Sequence, residues 1–235
     1  MAKLVWDETA ARLYETGVEK GVLYVMNDNG TYGTGVAWNG LTAVTESPSG
    51  AEPTKLWADD MNYLTMYSAE EFGVTVEAYT YPEEFYECDG TADLLGTGGL
   101  YMGQQTRKGF GLCYKTVVGN DVSGNDFGYK LHIIYGCKAS PSEKTYATIN
   151  DSPEAITFSW EVSTTPVNVT IGGEQYKPTS ILTIDSTKFA AGKAKTNLQD
   201  LEDVLYGTNG ETGGATETSP RLPLPAEVYE ILSAT

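Results

Sequence analysis

Apolar and polar residues alternate along much of this chain, which is the pattern of β-strands that bury one face. The clearest run covers residues 156–163, where large apolar residues alternate with threonine, serine and glutamate. Residues 131–139 and 72–79 repeat the alternation, and Gly172-Gly173 stands between two further β-rich runs, as in a tight hairpin. The chain is therefore predicted to be mainly β, as a β-sandwich or a partly open barrel.

Helical periodicity is scarce and lies near the end of the chain. Asn197 is a suitable N-cap for a short helix from Leu198 through Leu205, and Gly207 is a natural stop after it. Residues 225–233 have the pattern of a second short helix with one apolar face. One or two short helices are thus expected to flank the β structure.

Composition along the chain suggests one body followed by a tether. We predict a β domain over residues 1–206, whose first part, residues 1–17, forms an N-terminal arm. Residues 47–53 resemble a loop because they contain two prolines and a glycine. Residues 207–220 have almost no apolar content and are predicted to be a flexible linker. Residues 221–235 are apolar again and are predicted to dock on the body or on a neighbour.

The charge balance limits the kinds of partner. The 235 residues contain 32 acidic and 15 basic side chains, which gives a formal net charge of −17. Such a field repels phosphate, so tight binding of nucleic acid or of an anionic membrane is not expected. The 3 cysteines are an odd number without a C-x-x-C pair, and free thiols are predicted rather than a disulfide framework.

Catalytic equipment is sparse in this sequence. The single histidine, His132, lies on the polar side of a predicted strand and is expected to be solvated. Adjacent acids occur at Asp59-Asp60, Glu70-Glu71 and Glu83-Glu84. Neighbouring residues on a strand point to opposite faces, so these pairs do not preassemble a catalytic dyad. We expect no catalytic residue, cofactor or metal, and a hydrolase using two of the carboxylates is a weaker alternative.

Several stretches, in order and spanning nearly the whole chain, carry a resemblance to a known family. They are Tyr14 through Tyr24, Lys55 through Asp60, Phe72 through Phe85, His132 through Ala139, Ala155 through Glu161, Leu198 through Gly207, and Arg221 through Pro225. Together they resemble the major tail tube proteins of long-tailed, non-contractile bacteriophages, in the form found in phages of Gram-positive hosts. None of the stretches is a catalytic motif, so the resemblance rests on their ordered combination.

The resemblance implies a structural virion protein and no enzymatic activity. Such proteins form hexameric rings that stack into a hollow tube around a tape-measure protein, between a tail terminator and distal tail proteins. DNA later passes through the channel without tight binding, and no membrane is involved. The tail would be assembled in the host bacterial cytoplasm. Alternatives are another tail component, such as a terminator or baseplate hub, or a β-sandwich module that binds carbohydrate or a host surface.

Apolar residues in loop-like surroundings are the candidates for assembly contacts, because an exposed tryptophan or leucine is costly unless a partner covers it. The candidates are Leu4, Val5, Trp6, Leu56, Trp57, Leu222 and Leu224. A second hypothesis concerns the acids: if they line the channel, DNA slides past them, whereas lysines there would hold phosphates.

Overall fold

The structure is a computed structural model that describes residues 4–149, 151, 154–189, 191–209 and 217–234. In chain order the strands are β1 (Leu13–Val25), β2 (Val36–Trp38), β3 (Leu41–Gly50), β4 (Pro53–Ala58), β5 (Met61–Tyr67), β6 (Glu70–Ala78), β7 (Ala92–Asp93), β8 (Tyr101–Met102), β9 (Phe110–Asn120), β10 (Gly124–Ala139), β11 (Phe158–Thr164), β12 (Val167–Ile171), β13 (Glu174–Thr179) and β14 (Ile181–Asp185). The helices are α1 (Phe85–Cys88), a 3₁₀ turn (Ser186–Phe189), α2 (Gly192–Tyr206) and α3 (Pro225–Ser233). The prediction of a mainly β protein with short helices is confirmed.

One 8-stranded antiparallel sheet forms the body, in the order β2-β1-β9-β10-β11-β6-β3, with β14 paired to β10 beside that path. Strand β10 pairs with β9 along one edge. Along its other edge it pairs with β14 at Lys130–Ile134 and then with β11 at Cys137–Ala139. The change falls at Gly136, whose φ is 61°. A Cβ atom there would lie 2.1 Å from the carbonyl oxygen of Thr165, so only glycine fits this bend.

The sheet curls around an inner core but does not close into a barrel within the described chain. Helix α1 inserts Phe85 into this core, where its ring lies 4.6 Å from Trp38 and 5.1 Å from Trp160. Around these rings pack the inward residues of β6, β9, β10 and β11, which are mainly valine, leucine, isoleucine and phenylalanine. The alternation in the sequence therefore marks this inner face correctly.

The outer face of β1, β9 and β10 carries a second core, and α2 and α3 cover it. Leu198, Leu201 and Leu205 of α2 pack there against Ile133 and other outward residues of the sheet. Tyrosine hydroxyls add polar ties to this apolar contact. Tyr24 donates to the carbonyl oxygen of Leu205 at 2.6 Å. We call this region the helix-covered half of the sheet.

Two expectations about local structure are wrong. Residues 47–53 are not a loop, because β3 continues to Gly50 and β4 begins at Pro53. Helix α2 begins at Gly192 and not after Asn197. Asn197 lies inside the helix, where its side-chain amide donates to the carbonyl oxygens of Leu232 (3.1 Å) and Ala234 (2.9 Å) and so ties α2 to the end of α3. The predicted second helix, residues 225–233, is confirmed.

The predicted linker and docking segment lie against the body at the residues that are described. Residues 210–216 lie outside the described residues. On either side of them Thr208 pairs with Thr218, and the carbonyl oxygen of Pro220 accepts from the amide of Gly35 at 2.8 Å. Tyr135 then donates to the carbonyl oxygen of Pro223 at 2.9 Å. The described residues 218–234 therefore pack on their own subunit.

Candidate assembly surface

A two-stranded ribbon extends the edge of the main sheet. β3 and β6 pair as far as Gly50 and Glu70, and the ribbon continues as β4 and β5 after a short irregular step. Residues 51–69 form this ribbon, which we call the arm. All of its residues except Thr65 are exposed, and none belongs to either buried cluster. The arm thus contributes nothing to the core of its own subunit.

The chain turns at the tip of the arm through two aspartates. Asp59 and Asp60 both have positive φ, 50° and 58°, which is the conformation of a two-residue type I′ hairpin turn. Aspartate tolerates this region better than most residues because its short carboxylate can bond locally. This pair of acids, considered above as a possible dyad, is therefore the turn that closes β4 and β5.

The arm is strongly apolar for a segment without core contacts. Its exposed large apolar side chains are Leu56, Trp57, Met61, Tyr63, Leu64, Met66 and Tyr67. Leu56 lies opposite Leu64 on one face, whereas Tyr67 pairs with Pro53 on the other, so both faces are apolar. Trp57 is 68% exposed and Tyr63 is 73% exposed. A two-stranded ribbon is only marginally stable alone in water, so this one is suited to a partner surface.

The sequence had indicated only part of this surface. Leu56 and Trp57 lie in the arm and are exposed, as their loop-like context suggested, but they stand in a strand and not in a loop. The residues of β5 were missed. The signal for them was available: an alternating run after an Asp-Asp turn is typical of a hairpin, and it has no glycine or proline to interrupt it.

The N-terminal candidates are also exposed. Leu4, Val5 and Trp6 precede the first strand and are all more than half exposed. The chain behind them is tied to the turn between β9 and β10, since the amide of Ala10 donates to the Asp121 carboxylate at 3.0 Å. The N-terminal segment predicted over residues 1–17 is shorter in the structure, because β1 already begins at Leu13.

Leu222 and Leu224 differ although they are two residues apart. Leu224 is 51% exposed, as expected of a contact residue. Leu222 is 6% exposed and packs in the outer core of its own subunit, and its role as an assembly contact stays a prediction. The Leu222 side chain fits against the sheet because Gly111 has no side chain. A Cβ atom at Gly111 would lie 2.2 Å from the Leu222 Cδ2. The sheet and the C-terminal segment are thus shaped to each other.

His132 is buried and not solvated, and it lies on β10 within the main sheet. Its ring stacks on Tyr114 at 4.7 Å, and its Nε2 lies 3.0 Å from the Thr116 Oγ1. Its Nδ1 lies 3.2 Å from a Glu46 oxygen, which also accepts a 2.7 Å hydrogen bond from the Tyr114 hydroxyl. The prediction failed because strand alternation cannot show that the curl of the sheet folds β3 over this position.

The electrostatics around His132 are set by burial and by two carboxylates. Burial lowers the pKa of His132, and the nearby charges of Glu46 and Glu15 offset that only in part. Glu15 also bonds Lys130 at 2.5 Å and Thr116 at 2.6 Å. Burial raises the pKa of Glu15, but these hydrogen bonds outweigh it and leave that pKa below its usual value. The contacts of Glu15 and Glu46 with side chains of β9 and β10 link the strands β1, β3, β9 and β10.

The other candidate groups among the described residues are the cysteines and the acids. Cys88, Cys113 and Cys137 are free and buried, and burial raises the thiol pKa of Cys88 and of Cys113 to about 12. Such thiols are inert at neutral pH. Within the described ranges, no cluster of His, Cys, Asp or Glu has metal-binding geometry. No helix in those same ranges is both long and apolar enough to span a membrane.

Comparisons with known proteins do not identify the chain. No protein-family model matches it, and no curated protein matches it. Among solved structures, a chain of the cryo-EM structure of the anti-feeding prophage baseplate, 6-fold symmetrised, aligns with 77% of this chain and 97% of its own length. The TM-score is 0.36 and the sequence identity 6%. A similarity at this level shows neither a common fold nor a common function.

Proposed function

We propose that this chain is a structural subunit of a phage tail, and specifically that it polymerises as stacked hexameric rings into the hollow tail tube. The observation that carries the proposal is the arm, a ribbon that is apolar on both faces and packs into neither core of its own subunit. Covering an exposed tryptophan or tyrosine in an assembly gains about 25 cal/mol for each Å² of apolar surface removed from water. The ordered resemblance to major tail tube proteins supplies the identity of that assembly.

The proposal also assigns the partners. Neighbouring copies of the chain cover the arm and the N-terminal residues Leu4, Val5 and Trp6. A tape-measure protein occupies the channel before DNA does, and terminator and distal tail proteins close the ends. The virion tail is the proposed location, with assembly in the host cytoplasm. Like the resemblance, the arm argues for a structural role, and an assembly subunit needs no catalytic residue.

Electron microscopy of the purified chain tests this function. Negative-stain images over a range of concentrations, with light scattering alongside, should show rings or tubes of uniform diameter. Rings that never stack would favour a terminator or baseplate hub and contradict the tube. A protein that stays monomeric at every concentration, also when mixed with its preformed tail tip complex, would contradict assembly and direct attention to the carbohydrate-binding and hydrolase alternatives.

A variant pair assigns the assembly to the arm. Trp57→Ala should prevent or strongly weaken polymerisation and leave thermal unfolding of the monomer unchanged, because Trp57 is outside both cores. Tyr176→Ala is the control: Tyr176 is also about half exposed, but it lies on the separate β12–β13 ribbon. Equal polymerisation of the Trp57 variant and wild type would exclude Trp57 as a contact. Equal loss in both variants would contradict an assembly that depends specifically on the arm.

A further inference from the structure

Asparagine is followed by glycine at three places in this chain, namely Asn29-Gly30, Asn39-Gly40 and Asn209-Gly210. Such a pair is prone to modify itself, because glycine has no side chain to keep its amide nitrogen away from the asparagine side chain. Gly210 lies outside the described residues, so the first two pairs are the ones to compare. Both stand in turns and are exposed, and access to water therefore does not distinguish them.

The modification is deamidation, and it takes place within the chain. The glycine amide nitrogen loses its proton to water or hydroxide and forms a bond to the side-chain carbonyl carbon of the asparagine. The side-chain nitrogen takes up a proton and leaves as ammonia, so that a five-membered cyclic imide remains. Water then opens the imide at one of its two carbonyls and gives aspartate or a β-linked isoaspartate. The reaction thus needs a free glycine amide and a free asparagine side chain.

Both reacting groups are hydrogen-bonded at Asn29-Gly30. The Gly30 amide donates to the carbonyl oxygen of Asn27 at 2.9 Å. The Asn29 Oδ1 accepts from the backbone amide of Thr31 at 3.0 Å and from the Thr31 hydroxyl at 2.6 Å. This is the local turn that an asparagine side chain favours. Attack by the Gly30 nitrogen would break these bonds, so this pair is held in an unreactive arrangement.

Neither reacting group is hydrogen-bonded at Asn39-Gly40. Within the described part of the chain, the Asn39 side chain and the Gly40 amide have no hydrogen-bond partner. The flanking groups are fixed instead. The Trp38 Nε1 donates to the carbonyl oxygen of Thr80 at 3.0 Å. The Gly40 carbonyl oxygen accepts from the Tyr79 amide at 2.8 Å. The turn is therefore anchored on both sides and free at the two groups that react.

We propose that Asn39 is a site of spontaneous deamidation in the folded protein, and that the hydrogen bonds of Asn29 protect that residue from the same reaction. The proposal does not depend on the tail-tube function. The product adds one negative charge to a chain of formal net charge −17. It places that charge at a groove of about 520 Å³, which Glu19 and Lys20 line together with Asn39. The isoaspartate form also lengthens the main chain of the turn between β2 and β3 by one carbon.

Peptide mass spectrometry on the full chain tests the proposal. The protein is incubated at mildly alkaline pH, and samples taken over time are digested with trypsin. One tryptic peptide, residues 21–55, contains both asparagines, because no lysine or arginine lies between Lys20 and Lys55. Fragmentation of this peptide assigns each conversion of amide to carboxylate to its position. Deamidation of Asn39 should be several-fold faster than deamidation of Asn29.

Unfolded protein is the reference for the effect of the sequence itself. In concentrated urea the hydrogen bonds of both turns are lost, and Asn29 and Asn39 should deamidate at similar rates. A preference for Asn39 that is as large in urea as in the folded protein would overturn protection by the fold. Equal rates in the folded protein, or no conversion at Asn39, would overturn the proposed site.

Two variants test the hydrogen bonds directly. Thr31→Val removes the hydroxyl that donates to Asn29, so the deamidation rate of Asn29 should rise several-fold while the rate of Asn39 stays unchanged. Asn39→Gln keeps the amide group on a longer side chain, which disfavours the five-membered ring, and conversion at this position should disappear. An unchanged rate at Asn29 in the Thr31 variant would contradict its protection by these bonds.

Discussion

The helix-covered half and the outward side of β3, β6 and β11, which carries Thr45, Thr75 and Glu161 and which we call the bare face, belong to one sheet. Their inner sides are alike, whereas their outer sides are not. Inward residues are large and apolar in both, for example Leu112 of β9 and Val76 of β6. Outward residues of β1, β9 and β10 are again apolar, whereas those of β3, β6 and β11 are serine, threonine and glutamate. A strand with two apolar faces requires a second layer, and a strand with one does not. This difference decides where α2 and α3 dock and which part of the outer face stays uncovered.

The largest difference in stability is expected between a substitution under the helices and one on the bare face. Leu201→Ala removes a side chain that is 0% exposed between α2 and the sheet, and it should lower the free energy of unfolding by about 2–5 kcal/mol. Thr75→Ala at the bare face should change it by no more than about 0.5 kcal/mol. Urea titration of both variants measures the contrast. A similar loss in the two would mean that the bare face is also packed.

Two glycines on the same sheet should respond in opposite directions. Gly111→Ala places a methyl group against Leu222 and should destabilise the protein by about 1–2 kcal/mol, with faster proteolysis of the C-terminal segment. At Gly73 of the bare face the nearest atom is the Ser47 carbonyl oxygen at 3.4 Å, an ordinary contact. Gly73→Ala should be neutral or stabilise by up to about 1 kcal/mol, because glycine is unfavourable inside a strand. Equal changes in stability for the two variants would contradict the conclusion that Leu222 packs into the space left by the absent side chain of Gly111.

The smallest expected effect is a pH dependence at His132, which is buried within the main sheet. The folded state lowers the pKa of His132 below its ordinary value of 6.5, so it binds fewer protons than the unfolded chain. Its contribution to stability is complete above pH 6.5 and is lost as the pH falls below that value. With 1 histidine in the chain, His132→Gln isolates the effect.

The measurement is the free energy of unfolding at pH 7.5 and at pH 5.5. Wild type should lose more stability over this interval than His132→Gln, because the aspartates and glutamates of both proteins are mostly ionised throughout it. Identical losses in the two proteins would show that the proton equilibrium of His132 is unchanged by folding.

The sequence alone determined several strands, one hairpin and one helix. Alternation located the strands around Trp160 and Val76, and Gly172-Gly173 predicted the hairpin between β12 and β13. Proline at the start and apolar spacing marked α3 over Pro225–Ser233. These signals are local: each depends on the preferences of a few adjacent residues, which do not change with the rest of the fold.

Other features were decided only by tertiary structure. The sequence cannot show that the sheet curls until Glu46 of β3 meets His132 of β10, nor that Leu222 finds a notch at Gly111 while Leu224 remains outside. Asn197 is a plausible cap by sequence, but its distant partners at the end of α3 make it an interior tie. Burial and polar partners depend on contacts between residues far apart in the chain, and alternation gives only the side on which a residue lies.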